Sequence, residues 1–224
     1  MGQDVDMTLS VVRGVSVEAG RLIDLPAELT VPAGSLGCIV FARPRPRPHG
    51  RFQRSEDPEL SLARRLNGAR LATMTLDLLS WQDPPEGRFD IPLLADRLVA
   101  ATRVVREEPA TAQLPIGYLG VGTGAAGALW AAAELGREIA AVVCSGGRPD
   151  LARPCLGSVA APTLVVIPGR DAHLAEMGRR AIARIPAETD VAVIPAGANQ
   201  AELAELAAAW FLRHLRARAS SPSA

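Results

Sequence analysis

The chain is short of the residue types that most cofactor chemistry needs. It has three cysteines and three histidines in 224 residues. Cys38, Cys144 and Cys155 have no metal-type spacing, and no His/Cys/carboxylate cluster is visible, so neither a metal nor another cofactor is expected. Formal net charge is zero, which removes the global field that nucleic acid or an anionic membrane would call for. No stretch reaches ~18 apolar residues, so no transmembrane span is expected. Residues 1–9 carry Asp4 and Asp6 and no apolar segment, which reads as the absence of a secretory leader. Together with the odd cysteine count this points to a reducing, cytoplasmic location. Internal repeats and linker-like stretches are also missing.

What is present is ample material for one core. Hydrophobic residues make up 48% and charged residues 21% of the chain, which argues against disorder. The length suits one α/β domain over residues 1–218, with residues 219–224 a frayed tail. A core of this size buries about 70% of the unfolded chain's surface.

The pattern alternates strands and helices. Thr8 to Val17 and Leu22 to Val31 read as antiparallel edge strands, with Pro26 keeping the second bent or peripheral. Leu36 to Phe41, Leu71 to Leu79, Leu114 to Leu119, Ile139 to Cys144, Pro162 to Ile167 and Val191 to Ile194 read as buried strands. Helical spacing covers Glu59 to Asn67, Pro92 to Val105, Ala125 to Leu135, Leu174 to Ile185 and Ala201 to Ala217. Between the second buried strand and its helix lies a turn-rich loop, Trp81 to Phe89. Repeated β-α-β units predict a mostly parallel sheet between helical layers, with no large cap.

The most telling segment is Pro115-Ile116-Gly117-Tyr118-Leu119-Gly120-Val121-Gly122-Thr123-Gly124. It reads as strand, sharp turn, helix, the setting of a nucleophile elbow G-x-S-x-G. Here the central serine is Gly122. A dinucleotide fingerprint is excluded because the further glycine and the first-strand context are absent.

Several segments in order carry a family resemblance: Leu76-Asp77-Leu78-Leu79, Arg88-Phe89-Asp90-Ile91-Pro92, Leu114 to Gly120, Gly146-Gly147-Arg148-Pro149-Asp150-Leu151, and Pro162 to Asp171. With these the chain resembles the dienelactone-hydrolase-like branch of the α/β-hydrolase family, over roughly residues 10 to 218. The resemblance implies a three-layer sandwich and hydrolysis of esters or lactones by serine, acid and histidine. The serine position matches Gly122, the acid position matches Asp171, and the histidine position matches Asn199. The His-Gly that usually follows the third strand matches Arg43-Pro44. A glycine cannot attack a carbonyl, an amide does not titrate near neutral pH, and Pro44 has no N–H to offer an oxyanion. Thr123 keeps its backbone N–H at the oxyanion position.

The expectation is therefore a catalytically degenerate hydrolase, a pseudoenzyme binding a small anionic molecule or a protein partner. Arg43, Arg45 and Arg47, with Thr123, are the ligand-binding candidates. The arginine-proline run can clamp a carboxylate or phosphate, or it can be a solvated loop balanced by Glu56, Asp57 and Glu59. Asp171 either keeps a relic of the triad or caps the helix that follows. Two alternatives stand beside this reading. One is an active hydrolase with relocated residues, Cys144 and His173. The other is a non-enzymatic structural or interaction subunit, including a subunit of an oligomer.

Overall fold

The computed structural model describes residues 10–19, 23–44, 57–169, 172–195 and 200–219. Eight strands among these form one sheet. In chain order they are β1 (Val11–Glu18), β2 (Asp24–Val31), β3 (Cys38–Arg43), β4 (Ala72–Asp77), β5 (Ile116–Val121), β6 (Ile139–Ser145), β7 (Thr163–Pro168) and β8 (Thr189–Ile194). The helices are α1 (Pro58–Gly68), α2 (Ile91–Glu107), α3 (Gly124–Leu135), α4 (Ala172–Ile182) and α5 (Gln200–Ala219).

Strand order across the sheet is β1-β2-β4-β3-β5-β6-β7-β8. β1 and β2 pair antiparallel to each other, and β2 pairs antiparallel to β4. The remaining neighbours run parallel. Pro26 fits because β2 pairs with β4 only through Ala27 to Thr30, so the missing N–H of Pro26 breaks no rung on that side. β3, β5 and β6 are buried along almost their whole length, as expected for strands covered on both faces.

Two cores flank the sheet. Side chains of α2, α3 and α4 pack against one face, with Leu94, Leu98, Leu129 and Ile182 at the contact. Those of α1 and α5 cover the other, with Leu62, Leu66, Leu203 and Phe211. Each helix is placed by its caps and its apolar stripe. Asp57 caps α1, its carboxylate accepting from Glu59 and Leu60 N–H at 2.9 and 3.2 Å. Asp90 caps α2 by accepting from Leu93 N–H. Both helices carry proline in the first turn, where its missing N–H costs nothing.

The chain crosses from β4 over β3 to β5, so the winding direction reverses between β3 and β5. In open α/β sheets ligands bind at the carboxyl ends of the strands at such a reversal. The residues following β3 and β5 there are Pro44 and Gly122. The connection from β6 to β7 carries only two short 3-10 turns, Pro149–Ala152 and Leu156–Ser158, so no helical cap is inserted at that point.

Candidate functional site

The turn after β5 joins strand to helix sharply, with Gly122 at the position where the elbow motif expects a serine. Gly122 has φ +59°, a left-handed conformation that L side chains resist by about 1–2 kcal/mol. Its N–H donates to Ser145 O at 3.4 Å, and its carbonyl accepts from Ala125 N–H at 3.2 Å and Arg148 N–H at 3.3 Å. The apex is thus tied to the end of β6 as well as to α3. Among the described residues, a Cβ added at Gly122 would meet only Pro44 Cγ, at 3.8 Å.

The flanking glycines are there for close approach. A Cβ at Gly120 would lie 2.5 Å from Ala125 Cα, and one at Gly124 would run into Ala42 O. α3 can therefore start hard against β5 and β3, which aims its N-terminus at the elbow. No side chain caps that N-terminus. Thr123 Oγ1 is buried without a hydrogen-bond partner, and among the described residues its N–H has no backbone acceptor in the turn. A helix start of this kind carries a partial positive charge.

The other candidates fall in different places. Arg43 is drawn into ion pairs within the fold. It is 5% exposed, lies 2.6 Å from Asp77 and 3.4 Å from Asp57, and reaches Glu59 at 4.0 Å. It ties the ends of β3 and β4 to the start of α1. Burial of Glu59, with the neighbouring Asp57, pushes the Glu59 carboxyl up. Cys144 is fully buried in β6, with Sγ 4.0 Å from Ala125 O, and desolvation pushes its thiol up to about 12. His173 is exposed in the first turn of α4. Arg45, Arg47, Asp171 and Asn199 lie outside the described residues. Among the described residues no group of three or more His, Cys, Asp or Glu is placed to hold a metal, and no helix is long and apolar enough to cross a membrane.

One charged pair at this end of the sheet was not singled out from the sequence as a ligand contact. Arg148 follows β6 across Gly146 and Gly147, and its Nε and Nη2 donate to Asp150 Oδ1 and Oδ2, both at 2.8 Å. That hydrogen bonding holds the Asp150 carboxyl below its usual range. The segment Gly-Gly-Arg-Pro-Asp-Leu was visible as a family marker, and its arginine followed by an acid two residues on was the available signal. A cavity of about 400 Å³ opens at the opposite, amino ends of β5 and β6, among Arg106, Gln113, Pro115, Arg137 and Ala140. Arg106 is already engaged there by Ala112 O and Leu114 O, and the elbow lies at the other end of the strands.

No family model matches the chain. Among solved structures it is similar to a dienelactone hydrolase from Anabaena variabilis, at 35% identity and TM-score 0.82, over 92% of this chain and 99% of that one. The esterase Est1E from Butyrivibrio proteoclasticus shares the fold at 12% identity and TM-score 0.73, over 91% and 99% of the two chains. The chain belongs to the dienelactone hydrolase branch of the α/β-hydrolase family. It is also 42% identical over 214 residues to a Mycobacterium tuberculosis protein named "Putative phosphoribosyl transferase". That match takes in 90% of this chain but 46% of the relative, so the chain spans about half the length of the curated relatives it matches.

Proposed function

We propose that this chain is a non-hydrolytic member of its family that holds a small anionic molecule at the elbow. The observation that carries the reading is Gly122 at φ +59°, at the apex of the turn after β5, with no side chain to attack a carbonyl. The turn and the start of α3 persist, so the oxyanion donor at the Thr123 N–H is kept, while the donor position at Pro44 and the attacking group are missing. Asn199 at the histidine position removes the base as well. An oxyanion hole without a nucleophile leaves only a small fraction of catalysis, but it remains an anion site.

A hydrolase relying on Cys144 and His173 is disfavoured by the same chemistry. A thiol at about 12 in a fully buried strand has almost no thiolate near neutral pH, and the thiolate is the nucleophile.

The deciding experiment is hydrolysis of short-chain aryl esters and a dienelactone analogue by the wild type and by Gly122→Ser/Asn199→His. Turnover in the double variant alone is the expected result. Saturable turnover by the wild type, lost in Asp171→Ala, would sink the proposal.

A second reading rests on length. The relatives named for phosphoribosyl transfer are about twice as long as the matched region, so their name can describe the half this chain does not match. On that reading the chain works beside a phosphoribosyl-transferase-type domain. A 1:1 complex with a phosphoribosyl transferase from the same genome, measured by light scattering, is the expected result. Separate elution of the two proteins at micromolar concentration counts against it.

A further inference from the structure

The cavity at the amino ends of β5 and β6 has a volume of about 400 Å³, within the range of small-ligand sites. It lies at the opposite end of the sheet from Gly122, so its occupant is separate from anything held at the elbow. Arg106 and Arg137 both line it. Arg106 stands in the last turn of α2 and is half-buried. Its Nη1 donates to Ala112 O at 3.1 Å and to Leu114 O at 2.8 Å. Those bonds use both hydrogens of Nη1 and fix the plane of the guanidinium. Both acceptors are neutral carbonyls, so the charge stays uncompensated, and Nε and Nη2 donate to no described residue.

Arg137 lies in the short turn between α3 and β6, and among the described residues nothing accepts from its side chain. Glu138 lines the same cavity but forms an ion pair with neither arginine. Two guanidiniums on one cavity, neither neutralised by a carboxylate, repel each other, and an anion between them relieves that repulsion. The cavity also has an amide, Gln113, and an apolar lining at Pro115 and Ala140.

We propose that this cavity binds a sugar phosphate, with Arg106 and Arg137 on the phosphate and Gln113 and Glu138 on the sugar hydroxyls. The inference stands independently of the elbow reading. A phosphate has oxygens enough for two planar forks, whereas a single carboxylate fills one and leaves the other unmatched. Gln113 both donates and accepts, and an ionised Glu138 only accepts, so the rest of the ligand must bring hydroxyl donors. Inorganic phosphate satisfies the arginines but sets a like charge against Glu138. A sugar places hydroxyls there instead and lays its C–H face on Pro115 and Ala140.

The test is calorimetric titration of the whole chain with ribose 5-phosphate and glucose 6-phosphate, with the parent sugars, and with inorganic phosphate. The wild type is expected to bind at least one sugar phosphate about 10-fold or more tighter than inorganic phosphate or the parent sugar. Arg137→Gln should weaken sugar phosphate binding by about 10- to 100-fold, the range of a charge-assisted hydrogen bond. Glu138→Gln should shrink the advantage over inorganic phosphate to within about threefold, because the sugar loses a charged acceptor and the bare anion loses a like charge. A merely structural role would not separate the two ligands. Arg180→Gln removes an exposed ion pair with Glu176 on α4, and Gly122→Ser changes the far end of the sheet. Both should leave the affinities unaltered.

Arg106→Gln also releases the turn at Ala112 and Leu114, so the exposed Arg137, which makes no bond within the described fold, carries the decision. Sugar phosphate binding that persists within about twofold in Arg137→Gln, or that is lost in Gly122→Ser, overturns the location. Inorganic phosphate binding as tightly as either sugar phosphate overturns the sugar assignment. Failure of the wild type to bind either sugar phosphate at about 10 mM overturns the site altogether and leaves the elbow reading standing.

Discussion

Gly122 sits in a conformation a side chain would resist, yet among the described residues only Pro44 Cγ stands near its missing Cβ. A serine there meets backbone strain and no clash with the described residues. Gly122→Ser should fold and lose about 1–2 kcal/mol, read from chemical denaturation. A loss beyond about 4 kcal/mol would mean that the space is not open. The thiols supply a second check at this scale. Burial pushes Cys38 and Cys144 up to about 12 and Cys155 to about 11, and only Cys155 is better than fully buried. Titration of the native protein with a disulfide reagent near neutral pH should therefore find Cys155 alone, and slowly. Rapid labelling of Cys144 would revive it as a nucleophile. The sharp turn at Gly122 between β5 and α3 was legible from sequence because the motif's glycine spacing is a statement about local backbone. The fate of Arg43 was not, because its partners Asp77, Asp57 and Glu59 come from other elements and only the fold brings them together.

Among the elements, the start of α3 and the loop after β4 carry the sharpest expectations. Gly124→Ala places a methyl group into Ala42 O and should cost at least about 1–3 kcal/mol by forcing the helix off the sheet. Gly14→Ala in β1, where a Cβ meets nothing within 4 Å, should stay within about 0.5 kcal/mol of wild type. Equal effects from the two would undo the close-approach argument.

The loop after β4 is held by Arg97. It is 3% exposed and donates to Leu78 O and to both oxygens of Asp83, each at 2.7 Å. The hydrogen bond from Arg97 lowers Asp83 to about 2. Since its folded value is depressed, its contribution to stability is full above about pH 4 and falls as the pH drops toward 2. Asp83→Asn should flatten that part of the acid unfolding curve. Asp83→Ala should cost about 3–5 kcal/mol at neutral pH, because a buried guanidinium loses its counter-ion.

Element boundaries show where sequence patterning fades. The helix expected from Leu174 to Ile185 runs from Ala172 to Ile182, and the strand expected at Val191 starts at Thr189. Residues 183–184 form a turn. Thr189 and Asp190 enter the sheet by pairing with Thr163 and Leu164, a contact that an edge strand half open to water does not announce by its own residues. The buried strands β3, β5 and β6 were readable because coverage on both faces demands unbroken apolar runs.

At the scale of the whole molecule, alternation of strands and helices was enough to reach a three-layer α/β sheet. The order β4-β3-β5 was not readable from periodicity, since it depends on which way each crossover passes and not on local pattern. It is nevertheless this reversal that places Gly122, Pro44 and Arg148 at one end of the sheet. The chain contains no lysine, so all 24 basic residues are arginine. A lysine Schiff base is thereby closed to it, and its permanently charged cationic side chains are all planar forks. Fold and family are those of the dienelactone hydrolase branch.

The measurement that addresses the non-hydrolytic reading most directly is intact-mass analysis after incubation with an aryl fluorophosphonate, which labels activated serine-type nucleophiles covalently. The wild type should keep its mass unchanged, while Gly122→Ser/Asn199→His should gain one label on Ser at position 122. Stoichiometric labelling of the wild type, on whatever residue, would contradict the account, because it would place a working nucleophile in a site argued to have none.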